Sequence, residues 1–193
     1  MDSDSPHEPV RLTPDDPLAG LATWLADGRV DAAAAERARQ RWLERQAAED
    51  ATLVGVLLDL AERGRPVVAR TSGGRNATGR VAALGADFVV VREERLGDVL
   101  VPTRALAMVR PSRGDRSPVG DRPAALAIVM EEALVELAAD RPEVLVSAGG
   151  EEIRGDLRSA GRDVLAVELD TGERREIVSV ATHAIDHLVI IRR

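Results

Sequence analysis

The chain has 193 residues, 45% of them hydrophobic, and a formal charge of −7 from 26 basic and 33 acidic side chains. Every cation is Arg, there is no Cys or Tyr, and the aromatics are Trp24, Trp42 and Phe88. These counts exclude a disulfide framework, a thiol nucleophile, a thiolate zinc site and an iron–sulfur cluster, and they leave no aromatic platform for stacking single-stranded bases.

Residues 1–16 are acidic, carry Pro6, Pro9 and Pro14, and predict a disordered tail. They lack the basic and apolar regions of a signal peptide. Pro17–Ala26 predicts a short apolar helix with Leu18, Leu21, Trp24 and Leu25 on one face, stopped at Gly28. Asp31 is placed to cap a longer helix. A break is expected near Glu49–Thr52, followed by a separate helix over Thr52–Arg63 that Gly64 and Pro66 end. Residues 17–50 thus form a helical extension.

From Pro66 the pattern turns to β. PVVAR, ATGRVAAL, DFVVVRE, DVLVP and ALAMVR are short Val-rich runs broken by Ser72-Gly73-Gly74, Gly85-Ala86 and Gly97. Residues 111–123 are a linker rich in Pro, Gly, Ser and Arg. In the next segment Glu131–Ala139 is helical, and the preceding ALAIVM fits either helix or strand. EVLVS, EIRGDLRS, DVLAVEL, REIVSV and HLVII then predict strands. No apolar run approaches the roughly 18 residues of a membrane-spanning helix, so a cytoplasmic protein without membrane contact is expected.

The two β stretches repeat one another. Gly79 to Val91 aligns with Gly155 to Val167 on the pattern G-x-[VL]-x-x-[LA]-G-x-D-[FV]-x-x-V, at an offset of 76. Upstream, Leu57, Leu60, Val67 and Val68 meet Leu134, Leu137, Val144 and Leu145 at an offset of 77. Downstream, Val101, Thr103, Leu106 and Val109 meet Val180, Thr182, Ile185 and Leu188 at an offset of 79. Small changes in offset are what loop insertions produce. Each repeat reads as a helix followed by five short strands, which are expected to close into a small barrel capped by its helix. Gly79 and Gly155 fall where a long strand must bend. Gly85 and Gly161 are expected to supply a positive φ in the next turn, and Asp87 and Asp163 to accept backbone N–H bonds across it.

A helix, five strands and this glycine–aspartate core resemble the Sm/Hfq-like family of small barrels, and the layout resembles two-barrel proteins of actinobacteria. The resemblance covers roughly 50–113 and 125–193. It implies a mainly β, α+β protein of two tandem five-stranded Sm-like barrels, at 51–110 and 124–193, each preceded by its helix. It also implies ring formation through fourth-to-fifth strand pairing, and RNA as a partner. The family's nucleotide-contacting Asn is replaced by Val89, Val90 and Val91, and by Leu165, Ala166 and Val167. Its later Arg-Gly pair is replaced by Arg110-Pro111 and Ile191-Arg192, so those contacts do not carry over.

Charge divides with the repeat. Residues 1–64 hold 7 Arg against 13 acids, 65–113 hold 9 against 4, and 114–193 hold 10 against 16. Candidate nucleic-acid contacts are therefore Arg70, Arg75, Arg80, Arg92, Arg104 and Arg110, with Arg95 and Arg113 beside them, because guanidinium forks match phosphate oxygens. A solvated face in a chain without Lys explains the same residues. His183 and His187 have zinc-ligand spacing only if they lie on a helix, and a third ligand would be needed. No Ser is placed with a His for nucleophilic chemistry, so neither enzyme activity nor a cofactor is expected. Two functions follow as expectations. One is non-enzymatic interaction or assembly with a protein partner or a second copy. The alternative is RNA binding through the basic first repeat.

Overall fold

The computed structural model describes residues 17–111, 119–121, 127–170 and 174–191. The expectations for the tail at 1–16, for Arg113 and for most of the linker lie outside them. The chain divides after Gln46 into two units. The first consists, in its described part, of most of α1, a single helix over Pro17–Glu49. The expected stop at Gly28 and the cap at Asp31 are not there. One glycine costs an Ala/Arg/Glu-rich helix only about 1 kcal/mol, too little to end it. Trp24, Leu25, Val30 and Trp42 on α1 are exposed.

In the second unit, α2 (Leu53–Arg63) starts at the N-cap Thr52, whose side chain accepts from Gly55 N–H, and ends at Gly64 in the left-handed conformation. Then follow β1 (Val67–Thr71), β2 (Asn76–Leu84), β3 (Phe88–Glu93), β4 (Gly97–Pro102) and β5 (Leu106–Pro111). After α3 (Met130–Ala139) come β6 (Glu143–Ala148), β7 (Glu151–Ala160), β8 (Val164–Asp170), β9 (Arg175–Ala181) and β10 (Ile185–Ile190). A 3-10 turn precedes the last strand of each half, at Thr103–Ala105 and Thr182–Ala184.

The ten strands form one antiparallel sheet in the order β5-β1-β2-β3-β4-β10-β6-β7-β8-β9. This corrects the expectation of two closed five-stranded barrels. Neither group of five closes on itself, because β4 takes β10 of the other half as its neighbour rather than β5. Either arrangement satisfies the amides of β4. The alternation of apolar residues fixes which side of a strand faces the core, and does not say which edge it joins.

The halves match position by position. The β2–β3 register shifts between Val81 and Ala83, and the β7–β8 register shifts between Leu157 and Ser159. The pairing of β1 with β5 and of β6 with β10 carries the same shift at matching residues. Gly79 faces the Arg92 carbonyl where Gly155 faces that of Glu168. The conformation expected of Gly85 and Gly161 is absent, since neither has a positive φ. Gly85 is needed for another reason: a Cβ there would run into the Phe88 ring.

Two clusters fill the core. One joins Phe88 and Leu100 of the first half to Met130, Leu134, Leu157, Leu165 and Leu188 of the second. The other joins Leu57, Val89, Val91 and Val99 to Val189. β10, between β4 and β6, is buried on both faces.

Candidate interaction surface

The β4–β10 joint shows how one half of this chain holds the other. Leu188 pairs with Leu100, Val189 with Val99 and Ile190 with Asp98. A polar lock lies beside the ladder. Asp186 on β10 accepts from Thr71 Oγ1 at 2.6 Å and from Gly73 N–H at 2.8 Å. Arg104 donates through Nε to the His183 carbonyl at 3.2 Å, and also to the carbonyl of Thr182. A third contact is a helix cap. Asp87 Oδ1 accepts from the Met130 N–H, the first amide of α3, at 2.7 Å, and Ala86 N–H donates to the Ile128 carbonyl at 2.8 Å. A carboxylate at a helix start satisfies an orphan donor and complements the helix dipole. Asp87 therefore acts across the joint and not across its own turn as expected.

Burial works to raise the Asp186 pKa, but the hydrogen bonds from Thr71, His187 and Gly73 outweigh it and hold the carboxyl below its ordinary value. A depressed folded pKa gives stability that is full above the ordinary carboxylate pKa of about 3.9 and fades as pH falls through the folded value. Urea midpoints of Asp186→Ala are expected to lie below wild type near neutral pH, by about 1–3 kcal/mol of lost hydrogen bonding. The gap should narrow below about pH 4. A gap that does not change with pH would remove Asp186 from the account of the joint.

The positions that make this joint recur at the two ends of the sheet, where no strand covers them among the described residues. β9 is the counterpart of β4, and β5 the counterpart of β10. Phe88 is 5% exposed at the joint, while its counterpart Val164 is 39% exposed. Met130 is 3% exposed, while its counterpart Leu53 is 39% exposed. Asp98 is half-buried beside Ile190, and its counterpart Ile177 is 54% exposed. On β5, Met108 is exposed where its counterpart His187 is buried.

The candidate arginines do not converge on one face. Arg75 pairs with Glu93 at 3.0 Å and Arg92 with Asp98 at 2.8 Å. Arg80 donates to the Gly64 carbonyl, and Arg104 is held in the joint. Arg70 and Arg110 are exposed, and their guanidinium groups make no hydrogen bond or ion pair among the described residues. A surface cleft of about 620 Å³ brings Arg80, Arg92 and Arg95 together, but Glu93 and Glu94 line it too. The Asp98 hydrogen bond raises the Arg92 pKa further above its ordinary value. His183 and His187 lie on a 3-10 turn and on β10, not on a helix. The His187 ring is buried, with Nδ1 3.0 Å from Asp186 Oδ2.

No protein-family model and no curated protein matches the chain. Among the described residues, no helix is long and apolar enough to cross a membrane. The joint residues Thr71 and Asp186 leave no mark on the repeat pattern. Asp186 and Thr71 have Ala107 and Ala148 as counterparts, so they are not among the residues the halves share.

Proposed function

We propose that the protein is a non-enzymatic interaction and assembly module whose working surfaces are the two open edges of its sheet. The observation that supports this most is the β4–β10 joint. The chain already uses one strand of this kind to capture another, and it presents an unpaired strand of each kind at its ends. Unpaired edges are templates for a further strand. An internal duplication, consistent with the matching registers, explains why both kinds are present. In this reading the relation to the Sm-like family lies in the helix-and-five-strand unit.

The nucleic-acid alternative has less support, because Arg75, Arg80, Arg92 and Arg104 are spent on partners within the chain. It predicts salt-sensitive retention on RNA that is lost when Arg70 and Arg110 are replaced.

The Ile191 N–H donates to the Glu143 carbonyl. By the alternation of an antiparallel ladder, this turns the amides of Leu188 and Ile190 towards β4. The matching registers turn the amides of Val109 on β5 and Ser179 on β9 outward. Native complexes carrying a tagged chain are expected to lose their partner when Val109→Pro or Ser179→Pro removes one of these donors. Complexes that persist unchanged with both substitutions present would overturn the reading.

A further inference from the structure

The helix that opens each half has one face that the two halves treat differently. On α2 this face holds Gly55, Val56 and Asp59, and the chain covers it with Val119 and Gly120. The Thr52 N–H donates to the Gly120 carbonyl at 3.0 Å, and the Val119 N–H donates to Asp59 Oδ2 at 3.2 Å. The approach is close: a Cβ on Gly120 would meet Val56 Cγ2 at 2.6 Å, and one on Gly55 would overlap the Gly120 carbonyl. Asp59 also pairs with Arg63, one turn on, at 2.7 Å. The counterparts on α3, at the offset of 77, are Glu132, Ala133 and Glu136. There the face is open. It lines a groove of about 570 Å³ whose other walls include Phe88, Val90 and Leu100 of the first half and Leu137 and Ile190 of the second. Charge differs as well. Asp140 stands where α2 has Arg63, so the ion pair of α2 is replaced by two acids one turn apart, with Glu132 a turn before them. Like charges at this spacing repel. All three acids are exposed. Glu132 accepts from the Val129 N–H, while the Glu136 and Asp140 carboxylates have no donor among the described residues. α3 itself contains no cation.

We infer that this groove docks a cationic peptide segment of a partner protein. An apolar side chain of the segment enters between α3 and strands β3 and β4, and Arg or Lys side chains meet Glu132, Glu136 and Asp140. The second half thus offers to another protein the face that the first half covers with its own chain. Charge complementarity selects this occupant. The acidic row repels nucleic acids and anionic lipid surfaces, and the apolar walls reward a side chain that leaves water. β3, β4 and β10 each have a neighbour on both sides, so an added strand finds no open backbone there and recognition rests on side chains. No residue of β5 or β9 lines the groove, so the inference stands apart from the edge-pairing reading. Both halves contribute walls, so an occupied groove stabilises their joint. Salt weakens the charged contacts by screening.

Fluorescence anisotropy on the full chain tests this with two labelled peptides, one alternating Arg with Leu and the other Glu with Leu. The Arg–Leu peptide is expected to bind saturably and at least tenfold more tightly than the Glu–Leu peptide. Glu136→Arg, at an exposed position, is expected to weaken Arg–Leu binding at least tenfold and to strengthen Glu–Leu binding. Ala83→Trp fills the groove from an exposed wall position without changing charge, and is expected to abolish binding of the Arg–Leu peptide. Where it alters the circular dichroism, Ile128→Ser, which removes apolar wall, takes its place and is expected to weaken binding. Val109→Pro and Ser179→Pro, at the sheet edges, are expected to leave binding unchanged. Equal affinity for the two peptides would overturn the inference, as would the absence of saturable binding. So would Arg–Leu binding that survives both Glu136→Arg and the groove substitution. Binding lost with the edge substitutions and kept with the groove ones would place the peptide on the sheet edges. That outcome ends this inference and leaves the edge-pairing reading standing.

Discussion

Replacing Leu188 by Ala is expected to destabilise the whole second unit by about 2–5 kcal/mol, the range for emptying a fully buried Leu site. Leu188 is fully buried and pairs with Leu100 of the first half and Val146 of the second. Its neighbour Val189 points into the other cluster. A cavity at this point therefore loosens the strand that both cores share. The loss should appear as an earlier midpoint of a single urea transition, with near-unchanged slope, and not as selective melting of β6–β10. Val189→Ala, which removes less volume from the other cluster, should lower the same midpoint by a smaller amount. Two separated transitions in either variant would show that the halves unfold independently, and would contradict the shared role given to β10.

Gly79→Ala and Gly155→Ala form the second expectation. A Cβ at Gly79 would overlap the Arg92 carbonyl, with the carbonyl carbon at 2.7 Å, and one at Gly155 would overlap the Glu168 carbonyl. The obstructing atoms are backbone, so relief requires β2 to move from β3, or β7 from β8, next to a register shift. The cost is about 3 kcal/mol at each site, the upper end for overpacking a well-packed position. Gly161→Ala is the control. Its φ is not positive, and its nearest neighbour is Val164 Cγ1 at an ordinary 3.5 Å, so the change should stay within about 0.5 kcal/mol. Equal losses at Gly79 and Gly161 in chemical unfolding would argue against the close-approach explanation.

The sequence already contained the ten strands, α2, α3 and the position-by-position match of the halves, because alternating Val-rich runs and Gly/Pro punctuation are local signals. The apolar pattern did not contain the choice of neighbour for β4. Val99, Leu100 and Val101 are apolar whether β4 meets β5 or β10, so burial looks the same in both arrangements. Gly28 misled for a related reason: a single glycine marks a weak point in a helix, and its neighbours decide whether the helix ends there. Asp87 and Asp163 were found by their shared position, yet the role of Asp87 depends on α3, which is distant in sequence. The lock of Thr71, Asp186 and Arg104 was invisible because it occurs in one joint only. The arginines stood out by composition, but their carboxylate and carbonyl partners are set by the fold.

The place of β10 in the sheet also orders events in time. β10 is synthesised after every strand it touches, yet it lies between β4 and β6. Until it emerges, β4 presents Val99 and Leu100 to solvent on an uncovered edge, and Asp87 waits for a helix that is still being made. The first half thus passes through an adhesive stage during synthesis, when nascent neighbours on one message could cross-pair through β4. Late insertion of a central strand brings together residues far apart in the chain, which slows folding and lengthens that stage. The strand that joins the two halves of the finished molecule is thus also the one whose late arrival leaves the growing chain open to misassembly.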